Sequence, residues 1–300
     1  MSTFITLTKR NLRLFLRDRM TVFFSFLSTL VLVMLYFLFI AKIYVAGMDD
    51  PAAGGIAMSI SGGAKNFIVY LQMMAGVLTL NSMSLATGAF TTIARDFEDK
   101  RVDCLSLTPA RPHEMILAYY ATGLIASFAI NTFTWLISFL IIGLASGYWL
   151  AFGVFMTVCG VLFVASLISC SIMLLITSLV KSSAALGVIN GISGTFFGFL
   201  CGIYMPYSNL GDSTKAVGAF LPFTHITIWL KQTVLGNAFS QVGIAQEFKE
   251  ILYRDYFSAT DVSIGGAPLW VMLIFSGVLG FLCLAGSYAL LHKRIKGNRG

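Results

Sequence analysis

Six long apolar runs dominate this sequence, and each can cross a lipid bilayer, whose hydrocarbon core takes about 20 residues of α-helix. They lie at about Met20 to Val45, Phe67 to Ala94, Ile116 to Ala145, Trp149 to Val180, Ala185 to Tyr204 and Leu269 to Leu291. With 57% hydrophobic and only 11% charged residues, the chain cannot be a water-soluble domain, whose charged share is about 25%. Each spanning segment must satisfy its own backbone polar groups in hydrocarbon, and a helix does so. The expected fold is an all-α integral membrane protein: six transmembrane helices in a single transmembrane domain over residues 1–300. A weaker apolar stretch, Phe220 to Leu235, is too short and too interrupted by Pro222, His225 and Lys231 to count as a seventh.

The placement of charge orients the set. Lys and Arg gather on the cytoplasmic side of membrane spans, and with the N-terminus inside that side collects Lys9, Arg10, Arg13, Arg17, Arg19, Arg95, Lys100, Arg101, Arg111, Lys181, Lys293, Arg294, Lys296 and Arg299. The other six, Lys42, Lys65, Lys215, Lys231, Lys249 and Arg254, are spread over longer outer segments. Both termini are therefore expected in the cytoplasm, with the chain in the cell's inner (cytoplasmic) membrane. The formal charge of +7 is then a topology signal, and no nucleic-acid partner is expected. Met20 to Ala41 exceeds the roughly 7 to 15 apolar residues of a cleaved signal peptide, so the first span is retained.

Three segments lie outside the spans. Residues 1–19 read as an amphipathic elbow helix: Thr6, Lys9, Arg10, Arg13 and Arg17 recur at steps of three and four, while Phe4, Leu7, Leu14 and Phe15 take another face. Such a helix lies in the membrane interface, either as a topogenic charge cluster or as an elbow that also touches a partner subunit. The loop over 95–115 is the most charged part of the chain, and Phe97, Val102, Leu105 and Leu107 within it predict a short amphipathic helix that ends at Thr108-Pro109. It is longer than the usual 4 to 6 residues of a connection, which favours a docking helix over a solvated connector. Residues 205–267 form an external region. Gly202, Pro206, Gly211, Gly218 and Pro222 predict short re-entrant helices in its first half; Val242, Ala245, Phe248, Leu252 and Tyr256 predict a surface helix at about Phe239 to Phe257.

Several chemistries are missing. The six spans as drawn hold no Asp or Glu, and Lys42 is their one clear cation, which disfavours the intramembrane ionisable relay of a proton-coupled transporter. Asn81, Asn131, Asn190 and Gln72 are the remaining polar residues, suited to helix-to-helix hydrogen bonds or to substrate contact. His113, His225 and His292 are dispersed, and Cys104, Cys159, Cys170, Cys201 and Cys283 have no C-x-x-C pair, so no catalytic or metal constellation is indicated. His113-Glu114 reads as an interfacial anchor. A P-loop needs G-x-x-x-x-G-K-[ST], and no Gly-Lys dipeptide occurs in the sequence.

Two local patterns, with the layout of the whole chain, resemble the membrane (permease) subunit of type-2 ABC transporters. One is Arg95-Asp96-Phe97-Glu98-Asp99-Lys100-Arg101, followed by Leu105-Ser106-Leu107-Thr108-Pro109 and Glu114. The other is Gly202-Ile203-Tyr204-Met205-Pro206 with Leu221-Pro222 and Thr224-His225, similar to a proline-marked external helical hairpin before the last span. The family often has Gly-Thr where this chain has Val102-Asp103. The resemblance implies a half-transporter, exporter-like, that pairs with a second permease copy or paralogue and with an ABC ATPase subunit. That subunit would carry the ATP and Mg; no cofactor is expected on this chain. It further implies an ATPase-coupling interface in which Phe97, Leu105 and Leu107 supply apolar knobs and Arg95, Glu98, Asp99 and Arg101 supply charge register, with Asp96 and Thr108 in the same interface. An ion-gradient-driven secondary transporter or channel is the alternative, and a membrane-embedded lipid-modifying enzyme a third.

Overall fold

The computed structural model describes residues 3–20, 23, 34, 41–48, 60–106, 110–180, 182–204, 210–244, 249, 252 and 268–297. These form ten helices: α1 Thr3–Arg17, α2 Ala41–Met48, α3 Gly62–Glu98, α4 Arg101–Ser106, α5 Pro112–Ser146, α6 Phe152–Leu179, α7 Ser183–Leu200, α8 Asp212–Ala219, α9 Pro222–Val242 and α10 Leu269–Gly297. Among the described residues there are no strands. Five helices, α3, α5, α6, α7 and α10, are long and apolar enough to cross a membrane. The expected first span, Met20 to Val45, lies mostly outside the described residues; its final part overlaps α2.

The bundle is built around α3. Of its most apolar window 89% is buried inside the protein, against 17% for α7 and for α10, so α3 faces protein where the others face lipid. It packs on α5, α6, α7 and α9. Its 37 residues make a rod of roughly 55 Å, well beyond the ~30 Å hydrocarbon thickness, so at least one of its ends projects past the acyl chains. Ser61 caps its start by accepting from Ala64 N at 3.3 Å. It stops where Lys100 takes a left-handed φ of 56°, which turns the chain into α4. α5 begins with Pro112, which needs no helical donor, and Arg111 N donates to Glu114 Oε2 at 3.1 Å. It ends at Gly147, φ 76°, whose N–H donates to Gly143 O.

Buried polar side chains stitch the spans together. Asn81 Nδ2 donates to Asn131 Oδ1 at 3.0 Å, Asn131 Nδ2 donates to Ser82 Oγ at 2.6 Å, and Asn190 Nδ2 donates to Ser84 Oγ at 3.0 Å. Of the two roles open to these asparagines, the helix-to-helix one is realised. Gln72 is buried as well.

The stretch from Phe220 is not among the helices long and apolar enough to span, yet it is one unbroken helix: α9 has 21 residues, with Pro222 in its first turn. His225 and Lys231 do not interrupt it, because Lys231 Nζ donates to Gly202 O at 3.1 Å and His225 Nδ1 lies 3.0 Å from Ser276 Oγ on α10. Lys231, placed above in one of the longer outer segments, is only 1% exposed. Of the surface helix expected at about Phe239 to Phe257, the first residues belong to α9, which terminates at Gly243 in a left-handed conformation, φ 76°. Further on, Lys249 and Leu252 are helical, and the rest of that expected helix lies outside the described residues.

Candidate functional site at the basic end of the bundle

The last turn of α3 is where the charged loop begins, and it belongs to the long helix rather than to a separate amphipathic one. Arg95 to Glu98 continue α3, and only Arg101–Ser106 forms the short α4. Successive residues on a helix point about 100° apart, so three neighbours in sequence address three neighbours in space.

Asp96 faces inward and is 1% exposed. Its carboxylate accepts from Arg10 through both guanidinium nitrogens, at 2.8 and 3.1 Å, and from Tyr119 Oη at 2.6 Å; Arg101 Nη1 stands 4.0 Å away. A two-pronged Arg–carboxylate pair fixes orientation as well as charge. Burial lowers the proton affinity of Arg10, but hydrogen bonding to Asp96 and its negative charge outweigh burial and hold Arg10 above the ordinary arginine value. Thus Asp96 ties α3 to both α1 and α5.

Phe97 comes next and turns toward α10, where the Arg294 guanidinium lies 4.1 Å over its ring centre, a cation–π contact. Glu98 points a third way: its Oε1 accepts from Ser183 N at 2.9 Å, a carboxylate on the first turn of α7, where unpaired backbone N–H groups and the helix dipole favour negative charge. Arg95 pairs with Asp18, just past α1. Asp99 pairs with Arg101 at 3.0 Å, both about half exposed.

The helices α1, α5, α7 and α10 are thus all held by one helical turn, and the short α4 hangs from it with Val102 buried. Leu105 lies within α4; Leu107 and Thr108 fall outside the described residues. On α1, Arg10 turns inward, whereas Lys9, Arg13 and Arg17 are exposed. The packed face of α1 is Leu7, Thr8, Asn11 and Phe15. Tyr119, Ser183 and Arg294 were not singled out from sequence. Of these, only Ser183 carried a signal, as a small hydroxyl residue just ahead of an apolar run.

Among the described residues there is no group of three or more His, Cys, Asp or Glu able to hold a metal. What the arrangement can do is carry displacement: a push on α4 reaches the end of α3, and from there the elements that Asp96, Phe97 and Glu98 grip.

This is a multi-pass helical membrane protein whose charged junction gathers its helices at one end. The sequence model of the ABC-2 type transporter family matches residues 2–235, and the chain belongs to that family as a membrane permease. No curated protein matches the chain.

Proposed function

We propose that this chain is the permease subunit through which an ATP-driven ABC transporter exports a hydrophobic or amphipathic solute, such as a drug, lipid or peptide. A separate ATPase subunit binds ATP and Mg, and the pathway is completed by a second permease copy or paralogue. The chain sits in the cytoplasmic membrane with both termini and the basic end inside, as the crowding of Lys and Arg there supports. The single observation that carries the reading is the junction on the last turn of α3, where Asp96, Phe97 and Glu98 each hold a different neighbour.

In this mechanism α4 and the exposed Asp99 and Arg101 meet the ATPase, with Leu105, Leu107 and Thr108 in the same segment. ATP-driven closure of the ATPase pair shifts α4, and the ligand-like docking favours one of two membrane arrangements because it makes different contacts in each. Asp96 lies too deep to touch a partner and serves the relay from inside. Export over import rests on the family's usual direction.

The test is Asp99→Lys or Arg101→Glu in the transporter reconstituted with its ATPase. These exposed charges leave the grip of Glu98 on α7 intact, which Glu98→Lys would not. Transport is expected to fall tenfold or more while ATP hydrolysis persists and membrane insertion is normal. Wild-type transport by both variants removes the docking role.

A further inference from the structure

The helix α1 packs one side on the bundle and leaves the other turned outward. Leu7, Asn11 and Phe15, four residues apart, face the bundle: Thr122 Oγ1 donates to Thr8 O at 3.4 Å, and Phe15 packs with Ala89 and Ala126. Arg10 leaves that face to hold Asp96. The outward side is partly apolar, with Ile5 48% and Leu16 55% exposed. The same side carries a stripe of Lys9, Arg13 and Arg17 that continues the four-residue step from Ile5, all exposed; among the described residues none of the three takes part in an ion pair.

We infer that this stripe is a binding surface for acidic phospholipid headgroups of the leaflet in which α1 lies. The occupant follows from apolar and cationic side chains sharing the outward side. That mixture lets a helix sink Ile5 and Leu16 among acyl chains while the long side chains of Lys9, Arg13 and Arg17 reach phosphates at the headgroup level. A solvated protein partner would satisfy the charges and leave Ile5 and Leu16 in water. Three cations at one level of a membrane surface favour an acidic lipid by roughly tenfold or more at low salt. Since Arg10 joins the same helix to Asp96, lipid charge becomes a ligand of the junction: headgroups that hold α1 down also fix the position of Asp96 at the end of α3. The inference needs α1 at a membrane surface but not the direction of transport or the identity of the ATPase, so it can fail while the permease reading stands.

The experiment measures binding of a fluorescent phosphatidylglycerol to the detergent-solubilised full chain, with phosphatidylcholine bearing the same fluorophore as reference. The wild-type chain is expected to bind the acidic lipid roughly tenfold more tightly at low salt, and to lose that preference in 0.5 M salt, where screening shortens to a few ångströms. The variant Lys9→Gln, Arg13→Gln, Arg17→Gln should lose most of it, whereas Lys293→Gln, Lys296→Gln, Arg299→Gln, which removes equal charge from the tail, should keep it. Three results overturn the proposal: no preference in the wild-type chain, an equal loss in the tail variant, or a stripe variant that keeps its lipid preference but no longer retains an ATPase subunit, which would assign the stripe to a protein partner. The salt titration needs no substitution, so a variant that fails to fold does not shelter the claim.

Discussion

At the basic end of the bundle a buried carboxylate, Asp96, is gripped by Arg10 and Tyr119, with partly exposed ion pairs around it. At the opposite end of α7 the ties include hydrogen bonds inside the protein: Lys231 to Gly202 O, Thr224 to Cys201 Sγ at 3.3 Å, and His225 beside Ser276. The outer pairs of the first set, Arg95 with Asp18 and Asp99 with Arg101, border water, so those charges can exchange partners without being stranded. The second has no water to fall back on, and an unmet buried polar group costs more than the bond contributes. A region meant to move is better served by the former, and a region meant to hold α9 against its neighbours by the latter. The comparison makes the bundle firmly tied at one end and adjustable at the other.

The sharpest way to break this contrast is Arg10→Ala. It leaves the Asp96 carboxylate buried with Tyr119 and a distant Arg101, and removal of one member of a buried pair costs about 3 kcal/mol. Unfolding of the full chain in detergent should show that loss, and Asp96→Asn in the same chain should recover most of it by removing the stranded charge. Stability within about 0.5 kcal/mol of wild type for Arg10→Ala, inside the usual range of surface changes, would mean that the grip on Asp96 is not structural. Next in size is Gly76→Ala at the fixed end. An added Cβ there would stand 2.5 Å from Ile203 Cγ2, in the turn that follows α7, and overpacking of this kind costs about 2 kcal/mol.

The apolar runs made the spans legible, because hydrocarbon demands long unbroken segments whatever their neighbours. Which helix is central was less legible. α3 carries Lys65, Gln72, Asn81, Ser82 and Asp96 buried along its length, and so looks less suited to a membrane than α6 does, yet it is polar because it faces protein. The burial of Asp96 could have been read, since Ala89, Ile93 and Asp96 continue one stripe at steps of four and three. Its partner Arg10 could not: a pairing across 86 positions leaves no trace in local periodicity. In α9, Pro222, His225 and Lys231 looked like interruptions because their partners, on α10 and in the Cys201–Gly202 turn, are distant in sequence.

Lys231→Met sharpens the contrast from the fixed end. It keeps most of the volume and deletes the bond to Gly202 O, with an expected cost of about 1 kcal/mol. The clearer readout is the neighbouring thiol. Cys201 is buried, and in a chain whose other four cysteines are replaced it should resist maleimide; Lys231→Met should speed its labelling several-fold. Unchanged labelling would show that the turn is held without this lysine.

Arg101→Gln has the smallest expected effect on stability and separates the two ends most directly. Arg101 and Asp99 are about half exposed, and such surface pairs contribute at most about 0.5 kcal/mol, so unfolding should barely change. The same residue belongs to the segment proposed to meet the ATPase, where losing one charge of a complementary pair slows encounter and loosens register. A protein as stable as wild type but poorer in transport is therefore expected of Arg101→Gln and not of Lys231→Met, which should lose stability first. If Arg101→Gln instead unfolds the chain as readily as Arg10→Ala, its 4.0 Å approach to Asp96 is part of the structural grip, and the adjustable end is more rigid than its exposed charges imply.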